Sequence, residues 1–173
     1  MAAAARTARG GCVCSRAMKL DALDRAILSL LQDNARLTSE AIADAVALSP
    51  TAVQRRIKRL REEGAIVAEV ALVAPGAVGR GLTAIVGVEL TRGGRKELID
   101  TFKRRMAARP EVQQLYYVAG AHDFVLLVTA TDVADYERLS RELFFDDPNI
   151  KKFQTTFVLE SVKVGQRLPI PPG

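Results

Sequence analysis

The stretch SPTAVQRRIKRLREEG, residues 49–64, sets five cationic side chains (Arg55, Arg56, Lys58, Arg59 and Arg61) within seven positions. Side chains of this type in this density neutralise a polyanion. At helical spacing Val53, Ile57 and Leu60 form one narrow apolar stripe, and Thr51, Gln54, Arg55 and Lys58 fall on the opposite side. The stripe can dock the helix on a body while the other side enters the major groove of double-stranded DNA. There Gln54 can read adenine edges, Arg55 guanine edges and Thr51 either. Arg56, Lys58, Arg59 and Arg61 suit phosphates, which position without specifying sequence. Ser49 is a helix cap and Pro50 fits the first helical position, where its missing N–H would be unpaired anyway; both belong to the expected DNA-contacting set. A solvated basic surface helix is the plain alternative.

Bulk charge adds little to this. The net charge is +5 over 173 residues, of which residues 1–17 hold +3, residues 18–75 hold zero and the remainder +2. With 49% hydrophobic and 26% charged residues the chain reads as a soluble globular protein, and no apolar run approaches membrane-spanning length. The only cysteines, Cys12 and Cys14, and the one histidine, His122, give no zinc-ligand set, so no metal or cofactor is expected and a reducing cytoplasm fits. Residues 1–17 have no apolar signal-peptide core and are read as a disordered extension. Periodicity begins at Leu20, which makes Met18 a candidate translation start.

Three helical patterns must carry the basic run. In the first, Leu20, Leu23, Ile27, Leu30 and Leu31 share a face, with Asp21 and Asp24 in the first turn, where the helix dipole favours them. The second, TSEAIADAVAL, has Thr38 as its cap, and the third is residues 49–64, stopped by Gly64. The short ALSP joint makes a helix-turn-helix. A β-leaning run, AIVAEVALVAP, leads into PGAVGRG, a linker. Beyond it LTAIVGVEL alternates as a strand, an amphipathic helix places Leu98, Phe102 and Met106 inward, and two strands flank a tight turn at Gly120 to Asp123. A further helix, capped by Asp132, turns Tyr136, Leu139 and Leu143 inward, and a long last strand follows through NIKKFQTTFVLESVKV. The order β-α-β-β-α-β is ferredoxin-like, giving an α+β chain: extension 1–17, DNA-binding domain 18–73, linker 74–81, ferredoxin-like domain 82–168 and flexible tail 169–173.

Two crossover helices cover one sheet face and leave the other bare. FVLLV, residues 124–128, is apolar on both faces and Ile85 adds to the second, so a second copy is expected to cover that face. A polar change such as Leu126→Glu is then expected to dissociate the dimer or unfold it.

Residues 20–66, from LDALDRAILSLLQDN through LSPTAVQRRIKRLREEGAI, closely resemble the N-terminal domain of the leucine-responsive and asparagine-responsive bacterial regulators, the Lrp/AsnC family. The likeness continues through VAGAHDFVLLV and TTFVLESVK and spans Met18 to about Leu168. The resemblance implies a winged helix-turn-helix followed by a ligand-sensing ferredoxin-like domain that dimerises and builds tetramers or octamers. It implies a non-enzymatic transcriptional regulator, often of amino-acid metabolism, responding to a small effector that is frequently an amino acid.

The turn AGAHD (Ala119, Gly120, Ala121, His122, Asp123) fits such an effector: Gly120 lets backbone N–H groups converge on a carboxylate, and Asp123 offers a partner to an ammonium. Gly120 and Asp123 match the family's turn, whereas Ala119 replaces a common hydroxyl residue and His122 a common aromatic. The resemblance also brings Thr155 and Thr156 of the last strand toward this site. An architectural DNA-binding protein that ignores effectors is one alternative, and a tetrapyrrole decarboxylase of related fold is another.

Overall fold

The computed structural model describes residues 18–91 and 96–171, so the expectations for residues 1–17, Cys12 and Cys14 included, lie outside the described residues. The described residues form two compact units, one from residues 18–71 together with residues 164–171, the other from Leu72 to Lys163.

Among the described residues the first unit holds three helices: α1 (Ala22–Asp33), α2 (Ser39–Val46) and α3 (Pro50–Glu62). Each start has its side-chain cap. Asp21 Oδ1 accepts from the Asp24 N–H at 2.7 Å while Asp24 Oδ2 accepts from the Asp21 N–H at 3.2 Å, a reciprocal capping box. Thr38 Oγ1 accepts from the Ala41 N–H and Ser49 Oγ from the Ala52 N–H, both at 3.2 Å. Ile27, Ile42, Ala43, Val53, Ile57 and Leu60 form the core. Leu23, expected to face inward, is only half-buried and stands outside that cluster; the buried first-turn residue is Asp24. Between α2 and α3 the chain reverses through Ala47 at φ +53°, left-handed backbone that normally asks for glycine, and the Leu48 N–H closes back on the Ala43 carbonyl at 3.0 Å.

Past α3, Gly64 adopts φ +81° and the N–H groups of Ala65 and Ile66 both return to the Leu60 carbonyl. The following residues, expected to lean toward strand, pair with nothing as a sheet and leave Val67, Val70, Leu72 and Val73 exposed. A strand needs a neighbour to satisfy its backbone, and β-propensity alone does not supply one. The C-terminal segment differs as well. Expected to belong to the ferredoxin-like domain as far as residue 168 and to a flexible tail from 169, it lies along α1: the Gln32 carboxamide bonds both the N–H (2.7 Å) and the carbonyl (3.1 Å) of Leu168. Arg167 pairs with Asp33 at 2.6 Å, and Arg25 Nη1 donates to the Pro171 carbonyl at 3.2 Å.

The second unit opens with a short 3-10 turn, Pro75–Val78, inside the expected linker, and then runs β1 (Leu82–Leu90), α4 (Lys96–Ala107), β2 (Val112–Tyr117), β3 (Phe124–Ala130), α5 (Val133–Ser140) and β4 (Ile150–Phe157). The sheet is antiparallel in the order β2-β3-β1-β4. The last strand stops at Phe157, short of its expected length, because beyond the Val158 N–H bond to Thr83 the partner strand β1 has run out. Period-two alternation sends Ala84, Val86, Val88 and Leu90 of β1, with Phe124, Leu126 and Val128 of β3, into one core with Phe102, Met106, Tyr136 and Leu139 from the helices. A π turn, Arg141–Phe145, follows α5; its extra residue per turn lets the adjacent Leu143 and Phe144 both point inward. Leu126 is fully buried on this helix-covered side. The residues that face away from the helices are Val125 and Leu127 of β3 with Ile85 of β1, so Leu126→Glu strikes the core and does not probe the open face.

Ala47 is exposed, so replacing it by glycine forfeits no packing and removes the left-handed penalty of about 1–2 kcal/mol, against which glycine's extra unfolded entropy of about 0.5–1 kcal/mol must be set. Ala47→Gly is expected to stabilise the first unit by about 0.5–1 kcal/mol, read as a rise in the denaturation midpoint at unchanged slope; a fall would refute it.

Candidate DNA interface and effector turn

Three faces divide α3. Val53 and Leu60 are 0% exposed and Ile57 8%, so the apolar stripe is fully used in docking. Opposite it Thr51, Gln54, Arg55 and Lys58 are all exposed, with Ser49 and Pro50 exposed at the N-terminal end.

The third face was not anticipated. Asp24 is buried at 1% exposure, and the guanidinium groups of Arg56 and Arg59 close on it from α3. Arg56 Nη1 lies 2.7 Å from both Asp24 Oδ1 and Asp21 Oδ2, while Arg59 Nη2 bonds Asp24 Oδ2. A carboxylate taken out of water is tolerable only when paired in this way. Arg56 and Arg59, expected to meet phosphate, are therefore engaged inside the first unit. Arg61 is held by Glu69 at 2.7 Å, and Lys58 sits 3.9 Å from Glu62 with both ends exposed, a pairing worth little in water. Arg55 makes no ion pair among the described residues. Of the five cations that crowd residues 55–61, Arg55 and Lys58 are thus the two directed outward and available. The missed signal was spacing: Arg56 and Arg59 are three apart, one turn, on a flank distinct from both stripes.

In the second unit the AGAHD turn joins β2 to β3. Ala119, Gly120 and Ala121 are exposed, while His122 and Asp123 are half-buried. Asp123 is anchored to β1 twice and closes its own turn once: its N–H donates to the Val88 carbonyl (2.9 Å) and its Oδ2 accepts from the Leu90 N–H (2.8 Å), both on β1, while its carbonyl accepts from the Val118 N–H (2.9 Å) just past the end of β2. Oδ1 makes no hydrogen bond among the described residues. The imidazole of His122 lies over Gly87, so closely that a Cβ there would fall 2.4 Å from the ring. A glycine inside a strand pattern is the sign of such an approach, and it passed unread in the sequence.

Thr155 and Thr156 separate. Thr155 pairs with Val86 and turns toward the helices, where its hydroxyl bonds the buried Tyr136 hydroxyl, whose pKa burial pushes up. Thr156 pairs with Ile85 on the open side. The cross-strand partner of Gly87, beneath the His122 ring, is Gln154. Of the expected effector set, residues 119–123 share one turn, and Thr155 faces away from the open side.

A helix-turn-helix whose third helix keeps one face in solvent, together with an antiparallel ferredoxin-like sheet carrying an anchored glycine turn, is the architecture of a DNA-binding transcriptional regulator with a ligand-binding domain. Residues 20–67 match the family described as winged helix-turn-helix DNA-binding, and residues 83–168 match the Lrp/AsnC ligand binding domain. An HTH-type transcriptional regulator of Sinorhizobium fredii is 49% identical over 89% of this chain and 90% of its own length. The leucine-responsive regulatory protein of Haemophilus influenzae is 33% identical over 83% and 86% of the two. The crystal structure of a Neisseria meningitidis transcriptional regulator in complex with L-Met superposes with a TM-score of 0.81 at 31% identity, covering 87% of this chain and 97% of that one. The chain belongs to the Lrp/AsnC family of transcriptional regulators. No helix among the described residues is long and apolar enough to cross a membrane.

The Asp24 N–H and then the Arg56 guanidinium hold the Asp21 carboxyl below its ordinary value of 3.8. With the folded pKa depressed, the unfolded chain takes the proton first as pH falls. Asp21 therefore contributes stability above 3.8 and loses it as pH drops through the folded value. Asp21→Asn is expected to flatten the pH dependence of unfolding below pH 3.8 and leave it unchanged at neutral pH, as measured by denaturant titration at several pH values.

Proposed function

We propose that this regulator binds its operator through the outward face of α3 and that a free amino acid, received at the AGAHD turn, modulates that binding. The observation that carries the first half is the exposure of Thr51, Gln54, Arg55 and Lys58 directly opposite a fully buried apolar stripe. Arg55 reads a guanine edge, Gln54 an adenine edge and Thr51 either, while Lys58 and the helix start at Ser49 and Pro50 hold phosphate. For the effector, the exposed glycine-bearing turn receives the carboxylate and the unused Oδ1 of Asp123 the ammonium. His122 and Thr156 border the site and shape its side-chain preference. The protein acts in the cytoplasm as a homodimer in which a second copy covers the open sheet face, and dimers assemble further into tetramers or octamers. The half-buried Val125 and Leu127 and the exposed Ile85 support that cover.

Operator fragments recovered by footprinting supply the target DNA. Arg55→Ala is expected to lower affinity for the operator by about 1–3 kcal/mol and to relax preference at one base position. Lys58→Ala should weaken operator and random DNA alike and reduce the salt slope by about 0.9 per contact. If neither change touched discrimination or slope, α3 would not be the reading element. A panel of twenty amino acids in thermal-shift and band-shift assays tests the second half: at least one should shift both melting and operator affinity, and silence across the panel would leave an effector-independent architectural protein.

Leu127→Glu is expected to yield a folded chain of reduced mass in sedimentation, whereas Leu126→Glu, a charge placed in the core, should unfold the second unit. A folded Leu127→Glu variant of unchanged mass would exclude the sheet face as the interface.

A further inference from the structure

The cationic run of α3 holds more charge than it presents. Two of its five basic residues, Arg56 and Arg59, converge from successive turns on one carboxylate, Asp24, that is only 1% exposed, and Asp21 adds a second carboxylate to Arg56. The apolar stripe fixes how deeply α3 is seated, but three aliphatic side chains leave it able to roll about its own axis, since hydrophobic contact has no direction. The bonds from Arg56 and Arg59 are directional. They grip α3 on the flank between its buried and outward faces and tie it to the first turn of α1, which the capping box holds in place.

From this we infer that Asp24 is a positioning residue for DNA recognition, one that fixes the roll of α3 and withholds Arg56 and Arg59 from the phosphate backbone. The inference rests on the reading of α3 as the DNA-contacting helix. Its logic is a division of charge. Arginine binds phosphate without regard to sequence, so an arginine released toward DNA strengthens operator and random sites alike, while a helix free to roll loses the base contacts that only the operator rewards, and discrimination falls. Asp24 keeps two arginines out of that pool and uses them to aim Gln54 and Arg55. Arg56 and Arg59 keep the side-chain exposures, 22% and 43%, of groups that would reach the backbone once their anchor is removed.

The test is carried out on the full chain with operator and random-sequence duplexes across a salt series. Asp24→Asn should bind random DNA more tightly, with a salt slope steeper by about 1–2 per DNA-contacting domain, while the operator-to-random ratio falls at least about tenfold. In Asp24→Asn/Arg59→Gln about half of the added slope should disappear. Arg59→Gln alone should leave the slope where it was. Asp24→Glu, which keeps the anion, should hold the wild-type slope and recover most of the ratio.

A merely structural Asp24 would instead lower both affinities in proportion to the loss of folded protein, with ratio and slope unmoved. A folded Asp24→Asn variant of wild-type ratio and slope overturns the inference. So does a slope reduced by about 0.9 in Arg59→Gln, which would make Arg59 a phosphate ligand; this arm decides even where Asp24→Asn does not fold. Should the wild-type protein show no preference for any operator, the reading of the helix fails, an outcome separate from failure of the clamp.

Discussion

A carboxylate deep in a small three-helix unit imposes a demand that the unit's geometry is built to meet. Asp24 is almost wholly withdrawn from water, and the guanidinium groups of α3 are what make that possible. The first turn of α1 is thereby committed twice, once to its own capping box and once to α3. This arrangement explains why so basic a helix docks against a body at all. Its charges are not spread around a cylinder but sorted: two inward on a flank, one held by the segment that follows, two toward solvent.

The second unit shows the same economy on a sheet. Strict alternation assigns each strand a helix-covered side and an open side, and one-residue steps decide everything: Leu126 is core where Leu127 is surface, and Thr155 bonds Tyr136 where Thr156 faces out. The turn between β2 and β3 is not a mobile tip. One backbone and one side-chain bond tie Asp123 to β1, and Gly87 leaves room for the His122 ring to lie against the strand. A ligand meeting the exposed part of this turn meets groups whose support runs directly into the central strand.

Much of this was legible in the residues, and the rest was hidden for physical reasons. Caps and periodicity placed all three N-terminal helices, with Thr38 and Ser49 where expected, because capping is local chemistry written in adjacent residues. The strand and helix order of the second unit followed from the change of period. The Asp24 clamp was invisible because a first-turn acid has an ordinary surface explanation, and only the fold brings residues 32 and 35 positions apart into contact. Ala47 carries no mark of its left-handed backbone. The absence of a strand beyond Ile66 could not be read from a run of valines, since propensity speaks of a residue and pairing of a neighbour. Gly87, by contrast, was readable: a glycine amid Ile, Val and Val asks what lies against it.

The docking of residues 164–171 on α1 makes the first unit discontinuous in sequence, its two pieces separated by the whole of the second unit. During synthesis the helices of the first unit emerge early and can pack on their own, but the strip that Gln32, Asp33 and Arg25 are shaped to hold arrives only after the entire sheet has been made. The DNA-binding unit therefore cannot close until the ligand-binding sheet has been made, and the sensor is synthesised whole before the reader is.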